Sequence, residues 1–214
     1  MNLFLEKKFL KKGFKKIIGL DEAGRGPLAG PVYAASVLLT QKDIKKLQGF
    51  KELISTVKDS KKLKPHQREN IFNTLKKEGL LNFSFSYVSE KTIDKINIEK
   101  ATQKAMKNCL KKLKISPKDF KKTLILIDGN RILKNLNITQ IPIVKGDEKI
   151  FVISLASIIA KFKRDEKMKK LAKRYPQYQF EIHKGYPTKN HKRLLKKFGI
   201  SPLHRKSFLK NFIK

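Results

Sequence analysis

The stretch from Lys16 to Thr40 leaves this chain few ways to fold. Its apolar run, Ile17 to Leu20, ends on two adjacent carboxylates, Asp21 and Glu22, then passes through Gly24, Arg25, Gly26, Pro27, Gly30 and Pro31 before turning apolar again from Val32 to Thr40. Short apolar runs bounded by Gly and Pro read as strands, and two of them separated only by a turn region predict an antiparallel hairpin. Small Ala34, Ala35 and Ser36 in the second run leave room for a close neighbour. Carboxylates and glycines at a strand tip are poor core material, so the same stretch predicts a site.

The rest of the chain interleaves strand and helix patterns. Residues 1 to 15 set Leu3, Phe4, Leu5, Phe9 and Leu10 among lysines, which suggests a short amphipathic turn docked on the domain. Residues 41 to 64 are mixed and polar and close on Asp59-Ser60-Lys61-Lys62-Leu63; Pro65 then suits the first position of a helix running to about Lys77. Leu80 to Val88 alternates apolar and polar residues as a strand with one buried face does, and a helix follows from about Ile98 to Leu113, after a weak cap at Ser89. Thr123 to Ile127 is continuously apolar, as expected of a central strand covered on both faces, and it too ends on a carboxylate, Asp128, followed by Gly129. Ile138 to Val144 reads as a short strand ending in Lys145-Gly146-Asp147. The longest helical pattern runs from Ile150 to about Arg174, where Pro176 stops it, with further helical residues from Thr188 to Phe198 and near Ser207 to Ile213. Such interleaving argues for a mixed α/β sheet flanked by helices, one catalytic domain over residues 1–214 with a helical C-terminal extension from about 175 to 214 packed on it.

Composition bounds what a site could serve. A length of 214 residues with 40% hydrophobic content supports one sizeable core, and the formal charge of +33 predicts attraction to polyanions, of which nucleic acid is the commonest. A lysine-rich proteome that merely solvates its surface is the other reading, and charge alone does not choose between them. The single cysteine, Cys109, excludes an intramolecular disulfide and fits a reducing compartment. No signal-peptide core and no run of transmembrane length is present, so a cytoplasmic protein without membrane contact is expected.

Acids are scarce here, which makes their positions informative. Asp21, Glu22 and Asp128 each terminate an apolar strand, and Asp165 interrupts the stripe of Phe151, Leu155, Ile158, Phe162 and Ala172 on the last long helix. A carboxylate on a buried stripe must be paired, protonated or metal-bound, and several drawn together repel one another unless a cation neutralises them. Hard divalent cations prefer oxygen ligands, and paired ions suit displacement at phosphorus. Taken singly, Asp21 before Gly24 and Asp128-Gly129-Asn130 are also ordinary turn sequences, and Asp165 has Lys161 and Lys169 at pairing distance along its helix. The glycines of GRGPLAG are spaced wrongly for a dinucleotide fold and lead into a strand, not a helix.

Six segments taken together, GLDEAGRGPLAGPVYAAS, DSKKL, LIDGN, KGDEK, SLASIIAKFKRD and HKGYPT, closely resemble in content and order the signature segments of ribonuclease HII. Type 3 enzymes resemble the chain less, since they typically carry lysine where this chain has Arg25. The resemblance implies a ribonuclease H-like fold and endonucleolytic cleavage of RNA in RNA/DNA hybrids and at single ribonucleotides in duplex DNA, the task of ribonucleotide excision repair. It places metal-binding acids on Asp21, Glu22, Asp128 and Asp165, holding two Mg²⁺ or Mn²⁺ ions in a chain acting as a monomer, with 5′-phosphate and 3′-hydroxyl products. It assigns Gly24, Arg25 and Gly26 to the 2′-hydroxyl and phosphate of the ribonucleotide and Tyr186 to the neighbouring deoxyribose; a tyrosine capping a hydrophobic edge is the plain alternative. Lys61, Lys62, Lys145 and Lys184 are expected phosphate contacts. His66, His183, His191 and His204 fall in no hydrolytic motif and read as surface or structural. The terminal SFLKNFIK is basic and apolar enough to dock on a partner or to pack on the domain.

Overall fold

The computed structural model describes residues 3–57 and 62–209. Asp59, Ser60 and Lys61 of the DSKKL segment and the last five residues of SFLKNFIK therefore lie outside the described residues. Five strands form one sheet: β1 (Lys16–Ala23), β2 (Val32–Thr40), β3 (Asn82–Val88), β4 (Thr123–Asp128) and β5 (Thr139–Ile143), in the spatial order β3-β2-β1-β4-β5. β1 pairs antiparallel with β2, which pairs antiparallel with β3, while β4 runs parallel to both β1 and β5. The expected hairpin and the buried central strand are both present, and the sheet is the mixed one that the interleaved pattern predicts.

Helices cover both faces. In chain order they are α1 (Phe4–Lys11), α2 (Gln41–Leu47), α3 (Lys51–Val57), α4 (Pro65–Lys77), α5 (Glu90–Ile96), α6 (Ile98–Lys112), α7 (Gly146–Lys149), α8 (Phe151–Ala172), α9 (Phe180–His183) and α10 (Lys189–Phe198). Alternation along β1 divides its side chains between two cores: Ile17 packs with α8, whereas Ile18 and Leu20 pack with α6. α8 lies so close to β1 that a Cβ on Gly19 would sit 2.3 Å from the Val152 carbonyl carbon. On the opposite face the small residues of β2 admit α6, where Cys109 donates through Sγ to the Ala34 carbonyl at 3.2 Å and the Ser36 and Ser84 hydroxyls meet at 2.9 Å.

Three segments depart from expectation. The polar region 41 to 57 holds two short helices, whose Ile44, Leu47, Leu53 and Val57 are buried in the α8-side core. Ser89 caps a separate helix, α5, which a left-handed Asn97 at φ 66° divides from α6. Near Ser207 the described chain forms a 3-10 turn, Lys206–Phe208, and the rest of the helical pattern expected to Ile213 lies outside the described residues. The N-terminal amphipathic segment is helical, and its buried Glu6 accepts from the Val152 N–H at 3.2 Å, so α1 is tied to the start of α8. Among the described residues no helix is long and apolar enough to cross a membrane.

Candidate active site

The carboxyl ends of β1 and β4 bring the first acids together. Leu20 is level with Ile127, so Asp21 and Asp128, one residue further on, lie side by side. Asp21 points to the α8 face, where Ser157 hydrogen-bonds it, and is 5% exposed. Glu22, by alternation, leaves on the other face, where its side chain meets Arg25 at 3.6 Å. Asp128 is held by α7, accepting from the Gly146 N–H at 2.7 Å and the Asp147 N–H at 3.4 Å.

Electrostatics follow from this crowding. Burial first, then the charges of Glu22 and Asp128, holds the Asp21 carboxyl well above the usual range. Burial also raises Glu22, with Arg25 opposing and Asp128 adding to the rise. Asp128 is raised by burial and by Asp147. Asp147 is an acid that sequence reading passed over. It is buried, it lines a cleft of about 350 Å³ with Glu22, Gly24, Arg68, Ser157, Lys161 and Tyr186, and it comes four residues after β5, behind Gly146. A second cleft of about 290 Å³ runs from Glu22 and Arg25 past Asp128 to Arg131.

Asp165 is held by cations that line the same cleft as Glu22 and Asp147. It is half-buried on α8 and pairs with Lys161 at 2.7 Å and Arg68 at 3.7 Å, lining a pocket with Lys169 and Lys184. The i, i+4 pair that the sequence offered as an alternative is thus formed. Lys184 is pulled below the usual lysine range by burial, with Asp165 opposing. Lys62 and Lys145 are exposed, Lys145 in the left-handed conformation that opens α7.

The donor set is entirely oxygen, which suits a hard divalent cation and not a thiophilic one. Mutual repulsion among Asp21, Glu22 and Asp128 is the charge excess that a cation would relieve. As the side chains stand, no three metal-ligating groups among the described residues converge on one point, because Glu22 is turned to Arg25 and Asp165 to Lys161 and Arg68.

The glycine segment beside these acids is held by two arginines from distant parts of the chain. Arg164 of α8, fully buried, donates to the Pro31 carbonyl at 3.0 Å and the Ala29 carbonyl at 3.2 Å. Arg205, also fully buried, donates to the carbonyls of Gly24, Arg25 and Gly30 at 2.7, 2.9 and 2.9 Å. Gly24 has φ +98° and a Cβ there would meet Arg164 Nε at 2.0 Å, so glycine is required by both backbone and packing. Gly26 is exposed and a Cβ would meet nothing within 4 Å. Nothing inside the chain demands glycine at that position.

Tyr186 borders the same cleft, is 38% exposed, and has the cations of Lys161 and Arg164 each 5.6 Å from its ring centroid. Its turn is fastened to the glycine segment by the Leu28 N–H, which donates to the Gly185 carbonyl at 2.8 Å. Behind it His183, His191 and His204 form a buried chain. His183 stacks on His191 at 4.1 Å, the Nε2 atoms of His191 and His204 lie 3.1 Å apart, and His191 Nδ1 lies 2.9 Å from the Tyr186 carbonyl. His66 is exposed, so the surface-or-structural reading describes all four.

A family model described as Ribonuclease HII matches residues 18–211. A ribonuclease HII of Caldicellulosiruptor bescii is 46% identical over 209 residues, covering 98% of this chain and 94% of that one. Among solved structures, the ribonuclease H2 of Pyrococcus horikoshii OT3 superposes with a TM-score of 0.73 at 29% identity, covering 93% of this chain and 99% of the other. A Bst-RNase HIII solved in complex with Mn²⁺ shares the fold at a TM-score of 0.59 and 19% identity, covering 88% of this chain and 72% of the other. On the full-length match and on the acids and glycine turn that the sheet carries, this chain belongs to the ribonuclease HII family.

Proposed function

We propose that this metal-dependent endonuclease, which by its family cleaves RNA in RNA/DNA hybrids, also nicks duplex DNA at single embedded ribonucleotides. The observation that carries the reading is the juxtaposition, at the carboxyl ends of the inner strands β1 and β4, of the mutually repelling Asp21, Glu22 and Asp128 with the glycine turn Gly24 to Gly26. Asp21, Glu22, Asp128 and Asp165 would hold two Mg²⁺ or Mn²⁺ ions, exchanging the Arg25 and Lys161 pairings of Glu22 and Asp165 for metal bonds. The Mn²⁺ bound by the structurally similar RNase HIII supports that choice of ion. When bound, such ions supply the positive charge that activates a water for in-line attack and stabilises the departing 3′ oxygen, leaving 5′-phosphate and 3′-hydroxyl ends.

The chain's own residues do the rest. Ser157 orients Asp21, and the Gly146 and Asp147 amides orient Asp128, so these carboxylates are placed before substrate arrives. Exposed Gly26 leaves open the space a ribose would need, and the 2′-hydroxyl is the group that separates RNA from DNA there. Arg25 and the half-exposed Tyr186 flank that space, and Lys62, Lys145 and Lys184, with Lys61, are read as phosphate contacts. The catalytic domain is read as the whole chain, with residues from about 175 onward as an extension packed on it.

A duplex carrying one ribonucleotide, incubated with Mg²⁺ and then Mn²⁺ and sequenced for its ends, tests this. Expected is one nick 5′ to the ribonucleotide with a 3′-hydroxyl; no nick with either metal, or equal nicking of all-DNA duplex, refutes it.

A further inference from the structure

We infer that Arg205 is a positioning residue for ribose recognition: it turns the peptide planes of Gly24 and Arg25 so that two backbone amides face the substrate. The inference rests on reading Gly24 to Gly26 as the ribose-sensing segment. A trans peptide sets its C=O and N–H on opposite sides, and the chain contains no cis peptide among the described residues. The Gly24 and Arg25 carbonyls both point inward to the Arg205 guanidinium, at 2.7 and 2.9 Å. The N–H groups that share those planes, those of Arg25 and Gly26, must therefore point away from it, toward the exposed side of the turn. Among the described residues neither amide donates to a backbone carbonyl. Two adjacent outward amides form a concave pair of donors suited to a hydroxyl or phosphate oxygen.

The guanidinium can impose this because the segment bearing it is itself fixed. Residues 28 to 30 and 203 to 205 form a short antiparallel ribbon: the Gly30 N–H donates to the Leu203 carbonyl and the Arg205 N–H to the Leu28 carbonyl, both at 2.8 Å. Asp94 of α5 accepts from the Lys206 and Ser207 N–H groups at 2.9 and 3.0 Å, and the Phe208 ring lies 5.1 Å from the guanidinium carbon. Three donors in one rigid plane reach three carbonyls, which the single ammonium of a lysine cannot do. The end of the chain is thereby coupled to a turn almost the whole sequence away.

Arg205→Lys separates the fork from the charge. Expected is a fall of about tenfold in kcat/KM on the single-ribonucleotide duplex, the size of effect one lost charged hydrogen bond produces. Affinity for an all-DNA duplex of the same sequence should stay unchanged. An unchanged kcat/KM, or equal loss in both measurements, overturns the inference while wild-type nicking leaves the ribose reading standing; a wild type that does not nick overturns both. Amide hydrogen exchange on the wild type supplies a second measurement that does not depend on the variant folding. The Arg25 and Gly26 amides should exchange rapidly in the free protein and slow at least severalfold with the single-ribonucleotide duplex in EDTA, more than with all-DNA duplex. Absence of that difference overturns the inference.

Discussion

Burial and repulsion at Asp21 destabilise the metal-free protein at neutral pH, since its carboxyl is 5% exposed and faces Glu22 and Asp128. A carboxyl whose folded pKa is raised binds its proton more tightly in the fold, so metal-free stability rises as pH falls through that raised value toward the unfolded range. Asp21→Asn should therefore abolish cleavage yet raise metal-free stability at pH 7; melts in EDTA that show a lower midpoint would contradict the electrostatic account. Histidines act in the opposite sense. His191 and His204 are pushed down to about 4, chiefly by burial, and His183 is lowered too. They stay neutral in the fold while the unfolded chain takes up protons below the ordinary 6.5, so for His191 and His204 stability should drop by roughly 1.4 kcal/mol per pH unit per group between about 6.5 and 4. Denaturant titrations at pH 7.5 and 5.0 measure the slope, and His204→Asn should make it shallower. The two glycines of the turn separate structure from recognition. Gly24→Ala collides with Arg164 at a positive φ and should cost ~2–4 kcal/mol. Gly26→Ala meets nothing in the chain, so it should melt like the wild type while losing at least tenfold in single-ribonucleotide cleavage; retained cleavage would remove Gly26 from the recognition segment.

The element that organises the site is the contact between β1 and α8. Gly19 lets the Val152 backbone touch the strand, and that approach brings Ser157 to Asp21 and Arg164 to the glycine turn. Gly19→Ala has only backbone to displace and should cost a few kcal/mol with near-complete loss of activity, read from melting and nicking together. Most elements are legible as patterns: the hairpin from its Gly and Pro punctuation, β4 from its continuous apolar run, α4 from Pro65, and α8 from its stripe. α2 and α3 are not, because each is two turns long and presents only two buried apolar residues, too few to set a period. α6 begins at Ile98 as its pattern predicts, with the Asn97 side chain capping it at the Lys100 N–H, but α5 before it is equally silent, being two turns long with one buried apolar residue. Asp147 comes after its glycine, where Asp21 and Asp128 come before theirs, and β5 is short and partly exposed, so its sequence did not advertise a buried acid.

Over the whole molecule the surplus of +33 sets a long-range field. Affinity for all-DNA duplex should fall on the order of 10³-fold between about 50 and 200 mM salt, with a linear log–log slope, if several phosphates are contacted; a flat salt dependence would mean that the lysines merely solvate the surface. Single-ribonucleotide selectivity should change much less over the same range, because a hydroxyl releases no counterions. The sequence by itself determined the strand tips, the acids on them, the glycine turn and, through the order of its segments, the family. Those are local patterns or linear order, and each survives without knowledge of what packs where. What packing alone settles is that Asp165 is paired with Lys161 and Arg68, that Asp147 joins the strand-tip acids, and that Arg164 and Arg205 clamp the turn. In a chain this rich in Lys and Arg, nothing local distinguishes a buried arginine from a solvated one. Its role is set by carbonyls that the fold brings to it from the far end of the chain.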